Sequence, residues 1–166
     1  MEKWDLYTKD EVKTGKTINK GEKIPEGFYH IVVETLIKHT DGTYLVMQRS
    51  FDKKEYPGKY EGSCGGSIVA GESKESGAIR EVFEESGISV TEVVPTYYFV
   101  RSAANVINQG YLAITDVKNK DIKYQREETI NHKWLTLEEL KTFIKSNEYN
   151  ASHASRLSTY LDTIKE

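Results

Sequence analysis

The chain has 166 residues, 37% of them hydrophobic and 30% charged, with a formal net charge of −3. That length suits one folded domain with a substantial core, and so small a net charge supplies no field for a nucleic-acid polymer or a membrane surface. Cys64 is the one cysteine, which excludes an internal disulfide and suits a reducing compartment; no apolar run reaches the length of a membrane span and MEKWDLYTKDEV has no signal-peptide core, so a cytoplasmic protein is expected.

Residues 1–28 read as an N-terminal arm or hairpin, with Gly15 at its turn and Gly21, Pro25 and Gly27 marking a loop. HIVVETLIKHTDGTYLVMQRS predicts a β-hairpin, since two β-branched and aliphatic runs flank the turn dipeptide Asp41-Gly42. FDKKEYPGKYEGSCGG follows as a loop and a short strand. Residues 73–86 suit a helix that stops at Gly87, whose missing Cβ permits a left-handed cap. Runs at 93–101 and 105–115 read as strands, rich in aromatic and β-branched residues. TLEELKTFIKSNE and SHASRLSTYLDTIKE read as helices, so residues 141–166 form a helical end. Thr136 with Glu139 three residues on is a capping box for the first of them. Strands and helices intermix without a βαβ repeat, which predicts an α/β (α+β) fold: a mixed β-sheet with helices packed on its faces. With no repeat and no low-complexity linker, a single domain over 1–166 is expected.

The helix over 73–86 concentrates acids. Glu81, Glu84 and Glu85 are three and four residues apart and share a face, and the like-charged Glu81–Glu85 pair costs a few tenths of a kcal/mol, about 0.2–0.5. Ala78, Ile79, Val82 and Phe83 are assigned to the opposite face, packed on the sheet. Such acids are either a solvated surface or oxygen ligands for a hard divalent cation that relieves their repulsion. Spacing alone does not separate the two.

The surrounding residues do. Gly66, Glu72, Arg80-Glu81, Val82, Glu84-Glu85, Gly87 and Ile88 fill every position of GX5EX7REUXEEXGU, whose seven fixed letters match a random window about once in 10⁹. The chain closely resembles the Nudix hydrolase family at this box, residues 66–88, and more loosely from about Trp4 to Leu140. The resemblance implies a Nudix-type α/β/α sandwich and hydrolysis of a diphosphate linkage, in a nucleoside diphosphate-linked or related small molecule, with Mg²⁺ or Mn²⁺. It also implies Glu81 and Glu85 as principal metal ligands and Glu84 as a further ligand. The Gly66 carbonyl would face the metal, Arg80 would hold the glutamates, and Glu72 would support the site from the preceding loop. A divalent ion neutralises pyrophosphate charge and acidifies bound water, while Arg80, which keeps its proton, preorganises the carboxylates. A monomer or homodimer is expected.

Other residues are assigned by position. In the resembled family the general base is often a glutamate on a loop after the later strands; Glu127 and Glu128 in YQREETINHKW stand at such a place, and Glu128 is taken as the catalytic residue. Arg49 ends a strand leading toward the box and is assigned to phosphate. Tyr98, between Tyr97 and Phe99, is assigned to stacking on a base or ribose, against the core role that alternate strand aromatics usually have. Trp134 is assigned to the core, and His30, His39, His132 and His153 lack zinc-like spacing. The sequence is also similar to isopentenyl diphosphate isomerases, through KKEYPG and a cysteine near the box. That family's cysteine stands where Gly65 is here, and its histidine ligand where Ser67 is. Cys64 is one residue early, and in a strand such a shift turns the side chain to the other face. A catalytically inactive nucleotide-binding module is the third reading, which the complete set of box carboxylates opposes.

Overall fold

The computed structural model describes residues 1–62 and 64–164. Lys3–Tyr7 (β1) and Lys13–Asn19 (β2) pair antiparallel. The chain reverses at residues 8–12, where the Thr8 N–H donates to the Val12 carbonyl at 2.9 Å. Gly15 is not at this turn. It lies inside β2 with φ +76°, where the register slips between Asp5 and Tyr7, and glycine supplies the conformation such a bulge needs. Leu6, Ile18 and Ile24 form the hairpin's own small core with Trp4 and Phe28. Its edge bonds to the loop that precedes the acidic helix: the Ala70 N–H donates to the Lys3 carbonyl (2.8 Å) and the Gly71 N–H to Asp5 Oδ2 (2.7 Å).

The expected hairpin forms from His30–His39 (β3) and Tyr44–Arg49 (β4), with Gly42 at φ +93° in its turn. After a loop come Tyr60–Glu61 (β5), Cys64–Ser67 (β6) and the helix Lys74–Ser86 (α1). Val94–Arg101 (β7), Val106–Thr115 (β8) and Thr129–Leu135 (β9) precede Leu137–Phe143 (α2) and Ala151–Leu161 (α3). The Thr136–Glu139 capping box opens α2 as expected, but α2 stops at Phe143. α3 ends at its cap Asp162, and the expected extension to Lys165 and Glu166 falls outside the described residues. β9 was not anticipated. Its residues TINHKWL show no clean alternation of burial, and β4 defines it by pairing from Tyr44–Leu135 to Arg49–Thr129.

β3 is central. It runs parallel to β8 from His30–Val106 to His39–Thr115 and antiparallel to β6 from Val32–Ser67 to Thr35–Cys64, and it meets β4 at Lys38–Tyr44. β7 lies antiparallel on the far edge of β8, giving the mixed sheet. A strand covered on both faces must place side chains of both faces in the interior. Ile31, Val33 and Ile37 pack with Ala78 and Val82 of α1, while Leu36 packs with Leu140 of α2 and Leu157 and Leu161 of α3. This is the expected α/β/α sandwich. Among the described residues no helix is long and apolar enough to cross a membrane.

One residue of β3 breaks the apolar pattern. Glu34 is buried and takes both Nε (2.9 Å) and Nη2 of Arg156 on α3, with the Tyr97 hydroxyl donating at 2.9 Å. Tyr97 reaches it across Gly110, where a Cβ would stand 2.5 Å from the ring. Burial alone would raise the Glu34 carboxyl, but the Arg156 bonds outweigh it and hold the carboxyl below its usual value. Arg156→Met is therefore expected to destabilise the fold by about 3–5 kcal/mol at neutral pH, by stranding a buried charge. In the wild type a lowered folded-state value means stability that is present above about pH 4.5 and lost as pH falls. In the variant Glu34 keeps the Tyr97 bond but loses Arg156, so burial dominates and it takes up a proton on acidification. Urea denaturation at pH 7 and pH 5 should show the deficit shrinking at the lower pH; a constant deficit would refute this account.

Candidate active site

The acidic helix begins where its sequence dictates. Ser73 caps α1 by accepting from the Ser76 N–H at 3.1 Å, and Ser76 Oγ returns a bond from the Ser73 N–H. Gly87 closes it in the left-handed conformation at φ 72°. The two faces differ from the sequence expectation. Glu81 and Glu85 lie within the buried face, flanked by Gly77, Ala78, Val82 and Ser86, whereas Phe83 is 58% exposed. Glu84 turns outward. The cause is the strand beside the helix. β6 presents Gly65 and Gly66, and a Cβ on Gly66 would stand 2.6 Å from Glu81 Oε1. Without side chains there, α1 can bring two carboxylates against the sheet.

Arg80 organises the group. Its Nε and Nη2 donate to the two oxygens of Glu72 at 2.9 and 3.0 Å, its Nη1 to Glu81 Oε1 at 2.6 Å and Glu84 Oε2 at 3.0 Å, and its Nη2 to the Ser67 carbonyl at 3.3 Å. The Glu72 bonds, then those to Glu81, raise the guanidinium's pKa further, so it stays charged. Burial would raise Glu72, but the Arg80 bonds and the Val69 N–H bring it below its usual value. Glu81 goes the other way: burial raises it despite Arg80. Glu85 is pushed well above the carboxylate range by burial and by the charges of Glu61 and Glu81, although the Gly65 N–H donates to its Oε2 at 3.1 Å. Among the described residues no three His, Cys, Asp or Glu side chains converge as a metal-holding group. Arg80 bonds one oxygen of Glu81, and the Gly65 N–H one oxygen of Glu85.

The remaining assigned residues divide. Glu128, on the loop before β9, pairs with Lys53, and its charge contributes to raising Glu85. Glu127 is exposed. Arg49 donates from Nη1 to Glu61 Oε1 at 2.8 Å and lines a cavity of about 500 Å³ that Gly65 and Glu61 also border. Tyr98 is not brought to the others: it is 44% exposed beside Glu11, while its neighbour Tyr97 turns to the α3 face. Trp134 is half-buried against the core, its Nε1 donating to the Lys120 carbonyl at 3.3 Å. Cys64 is 1% exposed among Ile37, Leu45, Met47 and Val82, on the α1 side of the sheet, and burial pushes its thiol well up. Glu61 was missed in the sequence. It is an acid in a two-residue strand, and its place beside Arg49, Asn150 and Glu85 exists only once β5 pairs with β4.

Comparison with known proteins agrees with this geometry. The NUDIX domain family matches residues 28–157. An uncharacterised Nudix hydrolase of Listeria monocytogenes is 33% identical over 153 residues, 90% of this chain and 88% of that protein. An isopentenyl-diphosphate Delta-isomerase of Salmonella heidelberg is 34% identical over 68 residues, 41% of this chain and 38% of its own. The crystal structure of DR0079 from Deinococcus radiodurans shares the fold with a TM-score of 0.74 at 20% identity, covering 96% of this chain and 99% of that one.

Gly66→Ala tests how tightly Glu81 is held. The added methyl must displace a carboxylate that Arg80 restrains, so chemical denaturation should show a loss of about 1–3 kcal/mol. An unchanged midpoint would mean that Glu81 swings freely and that Arg80 does not fix it.

Proposed function

The chain belongs to the Nudix family and is a hydrolase of diphosphate-linked substrates, and on that premise we propose that the reaction takes place at Glu81 and Glu85 with Mg²⁺ or Mn²⁺ as cofactor. The observation that carries this reading is the placing of Glu81 and Glu85, both buried and one helical turn apart, against the side-chain-free Gly65-Gly66 of β6. The donors are all oxygen, the chemistry a hard cation requires, and Mg²⁺ is commonly held by one or two carboxylates plus substrate phosphates rather than by a closed protein cage. When bound, the cation neutralises phosphate charge and lowers the pKa of its water.

The chain's own residues have distinct tasks in this reading. Glu81 and Glu85 are the ligands, with the Gly66 carbonyl and Glu84 as further oxygens. Arg80, itself held by Glu72, keeps Glu81 from turning into solvent and bonds the outward-turned Glu84. The Gly65 N–H fixes one oxygen of Glu85 and leaves the other available. Glu128 takes the proton from the attacking water, and Lys53 orients it. Arg49 offers a planar fork to a phosphate at the cavity's edge. Tyr98, which does not border the cavity, takes no part.

Two measurements test the proposal. Millimolar Mg²⁺ or Mn²⁺ should raise the melting temperature; binding to the native state alone gives about 2.7 kcal/mol at a hundredfold excess over Kd. Glu81→Gln and Glu85→Gln should each lose several orders of magnitude in turnover and keep their stability, because neutralisation removes a buried like-charge contact. Cys64→Ala should turn over within a fewfold of wild type. A Cys64→Ala protein that is folded but inactive would favour prenyl-diphosphate isomerisation instead.

A further inference from the structure

Glu61 enters the site from the two-residue strand β5, and both of its carboxylate oxygens are taken. The antiparallel register sets Glu61 opposite Met47, so Arg49, two residues on, is its diagonal neighbour across the pair. Arg49 Nη1 donates to Glu61 Oε1 at 2.8 Å, and Arg49 Nε donates to the Glu55 carbonyl at 3.1 Å. Nη2 is the one nitrogen of this guanidinium with no partner among the described residues. Glu61 Oε2 accepts from Asn150 Nδ2 at 3.2 Å. Asn150 is fixed in turn, because its Oδ1 caps α3 on the Ser152 and His153 N–H groups. Asn150 is buried, the Arg49 and Glu61 side chains keep 19% and 20% of their surface exposed, and all three residues border the cavity.

One role for such contacts is to join two strands and a helix, but the backbone already does that. Beyond the β4–β5 pairing, the Tyr60 N–H donates to the Glu148 carbonyl and the Asn150 N–H to the Tyr60 carbonyl, each at 2.8 Å, and the Gly62 N–H donates to the Tyr149 hydroxyl. Glu61 is also costly where it stands, because its charge adds to the burden on Glu85. A carboxylate is nonetheless what the position requires. Two donors converge on it, from Arg49 and from Asn150, and a glutamine has only one acceptor oxygen to offer them. The result is a guanidinium held at two nitrogens on the wall of a cavity that Gly65, the residue bonded to Glu85, also borders. A donor fixed before its ligand arrives loses less freedom on binding and stands ready where charge must be met.

Resting on the hydrolase reading above, we propose that Glu61 is a positioning residue: held by Asn150 at the start of α3, it fixes Arg49 so that Nη2 meets a phosphate of the bound diphosphate. Glu61 touches neither substrate nor cation in this role and acts through Arg49 alone. The role has a sign that separates it from a plain charge effect. Glu61 is an anion beside an anionic ligand, so by charge alone its neutralisation would tighten phosphate binding. By positioning, its neutralisation weakens that binding, because the Arg49 guanidinium loses its tether.

The test is calorimetry with methylenediphosphonate, a diphosphate mimic whose P–C–P link resists hydrolysis, in saturating Mg²⁺. Arg49→Met should weaken binding about tenfold or more, and Glu61→Gln about tenfold. In the Arg49→Met background Glu61→Gln should change the affinity by less than about twofold, because the residue through which it acts is gone. Should either single variant fail to fold, Glu61→Asp, which withdraws the acceptors by one methylene, and Arg49→Lys, which lacks the planar fork, take their places with the same coupling expected. No binding by the wild type, unchanged binding by Arg49→Met, unchanged or tighter binding by Glu61→Gln, or a Glu61→Gln loss that persists in full without Arg49 would each overturn the assignment. Turnover is scored separately on nucleotide sugars, dinucleoside polyphosphates and nucleoside triphosphates. On any that is cleaved, Glu61→Gln should raise KM about tenfold and leave kcat within a fewfold, since the phosphate contact is made in ground state and transition state alike. A fall in kcat with KM unchanged would place Glu61 in the reaction itself and overturn the positioning role. A wild type that binds the diphosphonate through Arg49 and cleaves none of these compounds refutes the hydrolase reading and leaves the role of Glu61 standing.

Discussion

Glu81 and Glu85 stand one helical turn apart, both buried, against a strand with no side chains where they meet it. Like charges so placed repel each other and lose hydration together, and the surrounding structure is arranged around that cost. Arg80 spreads one permanent positive charge over Glu72, Glu81 and Glu84, and a backbone N–H from Gly65 meets Glu85. The glycines of β6, the capped start of α1 and the hairpin contacts to Ala70 and Gly71 all serve to bring the helix this close and keep it there. What is left uncompensated is the burial and mutual repulsion of Glu81 and Glu85, which raise both carboxyls above their usual value.

The two faces of the sheet divide the work. The α1 face carries the acids and an apolar core that includes Cys64. The α3 face carries a buried polar chain: Glu34 binds Arg156 and Tyr97, Tyr97 meets His153 Nε2 at 3.3 Å, His153 Nδ1 meets Tyr149 at 2.9 Å, and Tyr149 accepts from the Gly62 N–H at 2.6 Å. This chain locks α3 to the segment that carries Glu61, and Asn150 at the start of α3 adds a direct bond to Glu61 Oε2 at 3.2 Å. Such networks rigidify a core when every member is satisfied. The cavity wall is therefore set by the same contacts that position Glu61.

This division bears on the resemblance to prenyl-diphosphate isomerases. Cys64 and the cavity lie on opposite sides of β6, as strand alternation requires for adjacent residues, and Gly65 is the residue that borders the cavity. Cys64 packs among aliphatic side chains on the α1 side, where burial raises its thiol.

By itself the sequence determined the local features. Asp41-Gly42, the Ser73–Gly87 helix, the Thr136 capping box and the two later strands follow from turn chemistry, caps and composition, which are properties of neighbouring residues. The box residues were legible because their spacing is local to one loop and one helix. Tertiary structure decided everything that depends on pairing across distance. β9 exists because β4 accepts it, Gly15 bulges because β1 sets the register, and Tyr98 faces away from the cavity because Tyr97 is needed over Gly110. Glu81 and Glu85 of α1 proved to be on its buried face, since helical periodicity places residues relative to one another but does not say which side meets the sheet. Glu61 carries no sequence signal, because an acid in a strand acquires its meaning from the residues that strands distant in the chain bring beside it.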